Sequence, residues 1–404
     1  MSKKTLYITF DGLTDPLGQS QILPYLIGIA SNGFSINILS CEKEVPLLKE
    51  KQTVLNLISN LPITWQYIIY NEKGSFITRF LYLRKLIAIT KRLNTKNNFQ
   101  LIHCRSYIAA LIGLRFKLKY SIPFVFDMRG LWANERIDGG IWKKANPLHL
   151  FFYYYFKKKE KQFLIHSNSI ISVTHSGIVE LKKLYPSILN TKKTAVIPCC
   201  TNTNLFDKNS LNLSPKVDGI SANDHILVYT GSIGTWYFTK QMIDCVLVWK
   251  NFIPNLKLLI ITKDIKALTE ITNQYSENIN DIIIVKSSTY QNIPNYLSIA
   301  KAAIFFIKPA YSKIASSPTK MAECWAMDLP IITNSGIGDN DLYFKNNQGG
   351  VLINNFTTKD YENACKKYLE ISLQKNNYRN IALANFDTED AIKKYTNIYK
   401  SLTT

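Results

Sequence analysis

The sequence predicts an α/β protein built of two doubly wound, Rossmann-like domains facing a central cleft, and three observations predict it. Apolar strand-like runs alternate with helix-length segments along the 404 residues, the beat of a parallel sheet wrapped by helices. That beat stops at a polar interval, Thr201 to Asp224, and then restarts. The length favours two or three domains, and 46% hydrophobic residues with 12% aromatic suffice for well-packed cores.

In the first half, strands are expected near 5–10, 34–40, 99–104, 122–127, 168–174 and 194–197, each a short apolar run ending in polar residues or a turn. Helices 19–31, 106–118 and 147–166 fall between several of them. After the polar interval, strands near 226–229, 256–262, 281–286, 302–307 and 330–334 alternate with helices near 239–252, 264–275, 290–299 and 317–327. The domains are then 1–200 and 201–385, joined around Pro198-Cys199-Cys200-Thr201-Asn202. A final amphipathic segment within 386–404 can pack on either. Ligands of such sheets bind beyond the carboxyl ends of the strands, so the loops there are where chemistry is sought.

The charge is uneven. Residues 1–206 hold 28 Lys/Arg against 11 Asp/Glu, and residues 207–404 hold 21 against 18, so the halves carry +17 and +3 of the net +20. A basic half implies an anionic partner surface. Its densest part, Trp142-Lys143-Lys144 and Lys157-Lys158-Lys159-Glu160-Lys161, flanks the aromatic-rich segment Pro147 to Phe156. That is the composition of a segment lying on anionic lipid, so contact with a membrane surface is expected. A nucleic-acid partner is not, since zinc-finger spacing and an aromatic RNA-recognition signature are both missing. The seven cysteines are scattered with no C-x-x-C pair, which argues against a disulfide framework or a zinc site. The N-terminus lacks a signal-like apolar run, and no stretch approaches a membrane-spanning helix. A cytoplasmic protein, peripheral on the inner face of the membrane, is therefore expected.

The most informative stretch runs from Ser316 to Asn334. Ser317 is placed as an N-cap with Pro318 as the first helical residue. Met321, Cys324 and Trp325 then form an inward stripe, while Thr319 and Glu323 share another face. Free amides, Lys320 and a carboxylate would gather at one helix start, which suits a phosphate with a ribose beside it. An ordinary exposed Lys320–Glu323 pair is the plain alternative. Further candidates lie at the strand ends. Gly18, in the loop after the first strand, permits close backbone approach, although the loop is not a G-x-G-x-x-G dinucleotide fingerprint. Asp127, Arg129 and Glu135 follow a buried strand, with Arg129 placed to neutralise a phosphate and Asp127 to orient it or a sugar hydroxyl. Arg105 ends the neighbouring strand, beside His103. In the second half, Gly231 and Ser232 open a turn whose amides can line a diphosphate, with Trp236 or Tyr237 shaping the pocket. Lys263 and Lys308 are additional anion contacts. Asp339-Asn340-Asp341 is an Asp-x-Asp triplet for which no bound ion is expected.

These residues resemble the retaining, family-four glycosyltransferases of the GT-B fold, in the version that builds bacterial surface polysaccharides. The likeness rests on the Gly18 loop, the linker ending at Pro198, the Gly231 turn and, above all, Ser317-Pro-Thr-Lys-x-x-Glu323 followed by Leu-Pro-Ile-Ile. The strings Asp127 to Arg136 and Gly231 to Tyr237 resemble the same branch. The resemblance implies a nucleoside diphosphate sugar as co-substrate, with no cofactor or metal, held mainly by the second domain with Glu323 on its ribose. It implies a lipid-linked saccharide acceptor on the first domain, and a C-terminal helix crossing back to it. Asp127, Arg129, Lys320 and Glu323 are the catalytic candidates; Gly18, Arg105, Glu135, Gly231, Ser232, Lys263, Ser317 and Thr319 are the substrate-binding ones. Two departures stand out. The glutamate that the family often places eight positions before the ribose one is Ala315, and its basic pair after the glycine turn falls on Ser232 and Tyr237. A nucleotide-sugar epimerase of the same build, and a non-catalytic binding subunit, are the alternative readings.

Overall fold

The computed structural model describes residues 3–71, 76–211, 215–275, 277–374 and 376–403. Two compact units divide the chain: Met1–Pro198 together with Thr388–Thr404, and Cys199–Asp387.

The first unit is built on seven strands, β1 (Lys3–Ile8), β2 (Phe34–Glu42), β3 (Ile63–Ile69), β4 (Leu101–Arg105), β5 (Phe124–Asp127), β6 (Ser169–Ser172) and β7 (Thr194–Val196). All neighbours are parallel, in the order β3-β2-β1-β4-β5-β6-β7. β4 and β5 are buried throughout, as both faces of such a sheet are covered by helices. The order reverses between β1 and β4, so the crevice beyond the ends of these two strands is the topological switch point. Asp11 and Arg105 stand there.

The helix expected over 19–31 is two, Pro16–Gln21 and Leu23–Ser31, parted at Ile22 (φ −130°, ψ −61°). Pro24 explains the break: it has no N–H to give to Ser20, and its ring would clash with that carbonyl in a continuous helix. The aromatic helix spans Pro147–His166. Asn146 caps it by accepting from Leu148 N and His149 N at 2.9 and 3.3 Å, and Pro147 needs no partner at that end. The last helix, Thr388–Leu402, packs on Leu23–Ser31. Gly28 lets it come close: a Cβ there would lie 2.4 Å from Ile392 Cδ1.

The second unit holds six parallel strands, β8 (His225–Thr230), β9 (Leu256–Ile261), β10 (Ile283–Lys286), β11 (Ala302–Ile304), β12 (Ile331–Asn334) and β13 (Gly350–Ile353), ordered β10-β9-β8-β11-β12-β13. Its switch point lies between β8 and β11. Trp249, Trp325, Tyr229 and Tyr368 are among its largest buried side chains.

β3, β13 and the helices Glu44–Ile58, Phe76–Asn97 and Thr358–Ser372 are additions to the elements expected from sequence. The strand expected over 302–307 closes at Ile304, and Ile307 instead bridges antiparallel to Tyr237. Among the described residues no helix is long and apolar enough to cross a membrane.

Candidate active site

The helix expected over 317–327 runs Thr319–Ala326 and begins without a side-chain cap. Ser317 is not its N-cap: Pro318 occupies that position, and Ser317 Oγ accepts from Cys199 N–H at 3.1 Å. Burial also sorts the helix differently from the expected pattern, since every residue from Lys320 to Ala326 is buried. The exposed Lys320–Glu323 pair is therefore absent; the two side chains are 8% and 7% accessible.

Lys320 reaches the switch point. Its Nζ lies 4.1 Å from the ring centre of Tyr229 at the end of β8, 3.8 Å from Tyr237 and 5.5 Å from Phe305 just past β11. The ring faces attract a cation, but Nζ has no hydrogen-bond partner among the described residues. It reaches towards Gly231, where a Cβ would meet it at 2.9 Å. Gly231 (φ 126°) follows β8 directly and is exposed with Ser232, so the ammonium lies under an open turn. Burial pushes the Lys320 pKa down to about 7 and the Glu323 carboxyl up to about 7. The phenol of Tyr290 lies within hydrogen-bonding reach of Glu323.

The amides of the turn are less available than the two glycines suggest. Gly231 N–H donates to Ile261 O at 3.0 Å, Ile233 N–H to Asp264 Oδ2 at 2.9 Å, and Tyr237 N–H to Gly234 O at 3.0 Å. Tyr229 OH donates to the Ser232 carbonyl. Positive charge here comes from lysine. Lys313, which the sequence reading passed over, is a second buried lysine at this turn, its Nζ 3.6 Å from the ring centre of Trp236. Thr319 and Ser317 are half-buried near the helix start, whereas Lys263 and Lys308 are exposed. In the Asp-x-Asp loop, Asp341 accepts from Gly336 N–H at 2.9 Å. Among the described residues no group of three metal-ligating side chains gathers.

In the first unit, Gly18 sits inside the short helix Pro16–Gln21, and a Cβ there would come within 2.0 Å of the Gly12 carbonyl. The loop is drawn tight by Glu42, a fully buried carboxylate that the sequence did not single out. It accepts from Leu13 N–H (2.8 Å), Thr14 N–H (3.2 Å), Thr14 Oγ1 (2.6 Å) and Ser40 Oγ (2.5 Å). Arg105 is buried, donates from Nε to Asp11 Oδ2 at 3.0 Å, and Asp11 remains 41% exposed at the rim.

Asp127 is not at the surface. It is fully buried, with Oδ2 accepting from Tyr395 OH at 3.1 Å and lying 3.4 Å from His103 Nε2, while His103 Nδ1 is 2.9 Å from Tyr399 OH. Among the described residues Oδ1 accepts no hydrogen bond; the guanidinium of Arg129 is 3.8 Å away. Burial opposes the charge on Asp127, but Arg129, His103 and Arg105 together hold its pKa below the ordinary carboxylate value. Arg129 (φ 56°) and Gly130 (φ 137°) turn the chain left-handed past β5. Glu135 is half-buried on the helix Trp132–Asp138, where Arg136 covers the Trp132 ring. Thus Gly231, Ser232, Lys320 and Glu323 come together in the second unit. Asp127, Arg129 and Arg105 form a separate buried cluster in the first.

A distinct surface belongs to the helix Pro147–His166. Leu148, Phe151, Tyr154 and Ile165 are 56%, 61%, 66% and 40% exposed, in line with exposed Lys158 and Lys161.

This fold is the GT-B architecture of glycosyltransferases. Residues 28–205 match the family model Glycosyltransferase Family 4. Sucrose-phosphate synthase of Thermosynechococcus elongatus superposes with a TM-score of 0.69 at 15% identity, covering 99% of each chain. HepE of Anabaena, solved with UDP and glucose, gives 0.67 at 13%, covering 99% of this chain and 100% of that one. A UDP-N-acetylglucosamine 2-epimerase candidate from Listeria monocytogenes gives 0.61 at 11%, covering 99% and 96%. At such identities the likeness is one of fold. No curated protein matches the sequence.

Proposed function

We propose that this protein is a retaining glycosyltransferase that moves a sugar from a nucleoside diphosphate donor to a lipid-linked or polysaccharide acceptor, in the assembly of a bacterial surface polysaccharide. The observation that carries the reading is the unpartnered, buried Nζ of Lys320 beneath the exposed Gly231 turn, with Glu323 one helical turn along. A buried amino group without an acceptor is costly to hold as a cation unless a ligand supplies one. A diphosphate on the Gly231–Ser232 turn supplies it, and the ribose hydroxyls then fall to Glu323. Departure of the diphosphate from the sugar builds negative charge that Lys320, with Lys313 nearby on the turn, is fixed in place to stabilise. In a front-face reaction the leaving phosphate oxygen takes the acceptor proton.

The acceptor is assigned to the first unit, where Arg105 and the Gly18 loop flank the strand ends. Arg129 neutralises a phosphate there, and Asp127 is a positioning residue that holds Arg129. The basic aromatic helix Pro147–His166 is proposed to rest on anionic lipid at the inner face of the cytoplasmic membrane, bringing the enzyme to a lipid-linked substrate. The UDP held by HepE supports the donor class. The epimerase reading has the fold likeness to the Listeria protein in its favour, but the family match over residues 28–205 favours transfer.

The test is a thermal-shift titration against the UDP, GDP, CDP, ADP and dTDP conjugates of common sugars. A selective rise in melting temperature, abolished in Glu323→Ala, is expected. A product formed from donor without acceptor would mark the epimerase instead.

A further inference from the structure

Lys320 and Glu323 are an unusual pair. They are one turn apart on a single helix, both more than nine-tenths buried, and no ion pair joins them among the described residues. Each feels the charge of the other, but beyond that the described residues around them offer neither group a full charge of the opposite sign. Around Nζ stand the rings of Tyr229, Tyr237 and Phe305, with the thiol of Cys324 on the same helix. Around the carboxyl stand Tyr290 and Tyr237 from other elements, and again Cys324. Asp264 faces Tyr229 from beyond β9 and holds the turn through Ile233.

We propose that in the empty site Lys320 and Glu323 share their protons as a near-neutral amine and carboxylic acid, and that the nucleoside diphosphate donor splits them into ammonium and carboxylate. The inference rests on the donor site proposed above and deepens it. A diphosphate oxygen at Gly231 gives Nζ the acceptor it lacks and favours the cation. The ribose hydroxyls donate to Glu323 and favour the anion. The proton leaves the carboxylic acid and arrives on the amine, so near neutrality none is exchanged with solvent.

The raised carboxyl and the lowered ammonium, both at about 7, then fix the signs on either side. Well above neutrality the empty site is an amine with a carboxylate, and binding takes up a proton at Lys320. Well below, it is an ammonium with a carboxylic acid, and binding releases one from Glu323. Donor affinity is therefore greatest near neutrality and falls by up to tenfold for each pH unit on either flank.

The measurement is isothermal calorimetry of the full chain with the nucleoside diphosphate sugar that gives the largest thermal shift. It is run at pH 6 and pH 8 in buffers of contrasting ionisation enthalpy. A sugar conjugate is used because its diphosphate has no ionisation in this range. Uptake of close to one proton at pH 8 and release of close to one at pH 6 are expected. Lys320→Arg, whose guanidinium stays charged, should abolish the uptake, and Glu323→Gln the release. Binding with a proton count near zero at both pH values in the unaltered protein would overturn the proposal and leave the donor site standing. Binding of no conjugate at all would overturn the donor site, and this inference with it.

Discussion

Tyr395, on the last helix, donates a hydrogen bond to Asp127 at the end of β5, across 268 residues of sequence, at 3.1 Å. The carboxylate that the sequence offers as a catalytic group is thus an anchor. It joins the strand ends of the first unit to Thr388–Leu402 and stands beside His103 and Arg129. Removing the phenol leaves a buried charge short of a donor, so Tyr395→Phe should cost about 1.5–3 kcal/mol. The decrease should appear in the urea midpoint of the full chain with the slope unchanged.

The same cluster gives the first unit an acid limit. Burial holds His103 below its ordinary pKa, so the native state keeps it neutral while the unfolded chain takes up a proton below about pH 6.5. Asp127, also lowered, adds stability that is present above its ordinary value and lost as pH falls from there through the lowered native value. Both terms act in one direction: stability should decline from pH 6.5 downwards. His103→Gln should flatten the upper part of that decline, as followed by melting temperature against pH.

Lys320 should be a liability to stability when no donor is bound. Lys320→Met replaces a buried amine without a partner by an apolar chain of similar length, and should stabilise the empty protein by about 1–3 kcal/mol. The sign with pH follows from a native pKa of about 7, below the ordinary lysine value. The unfolded chain binds this proton first as pH falls, so the cost of Lys320 grows from about pH 10.5 down to 7 and is constant below. The gap in melting temperature between variant and parent should follow that course, while the thermal shift with donor is lost.

Gly231→Ala tests the turn. The position has φ 126°, and the new Cβ would press on Lys320 Nζ, so strain and displacement act together. Donor affinity should drop at least tenfold, with a stability loss of about 1–3 kcal/mol. An unchanged affinity would separate the diphosphate from this turn.

Flotation with liposomes tests the aromatic helix. Binding to vesicles rich in anionic lipid should weaken when Lys158 and Lys161 are changed to Glu, and when salt is raised, since exposed charges are screened over about 8 Å at physiological ionic strength. Phe151→Ser should weaken it at every salt concentration. Binding indifferent to all three changes would remove this helix as the docking face.

Much of the α/β alternation is legible because buried parallel strands are continuous apolar runs. What is missed has local reasons. β3, Ile-Thr-Trp-Gln-Tyr-Ile-Ile, is an edge strand with a mixed burial pattern. β13 begins at Gly350, which reads as loop; it is glycine because β13 passes so near β12 that a Cβ would lie 2.2 Å from the Ile331 carbonyl oxygen. At the candidate site the helix after Pro318 is readable, but its first cap is not, because Ser317 serves the chain at Cys199 instead. Lysine is exposed by default, so the burial of Lys313 and Lys320 carries no signal in their own segment. The signal available is across the chain: Tyr229, Trp236 and Tyr237 around Gly231 are the rings on which two ammonium groups rest. Glu42 and Tyr290 give no such pattern, and only tertiary structure brings them to their places.

The close seat of Ile392 against Gly28 has a consequence for the order of synthesis. A ribosome that has delivered residues 1–198 has made all seven strands of the first sheet, yet Tyr7, Tyr25, His103 and Asp127 still lack the helix that covers them. The whole second unit must be translated before that helix exists. The first-born unit is therefore the last to be finished, and a chain that stops after residue 387 leaves its buried charge open to water.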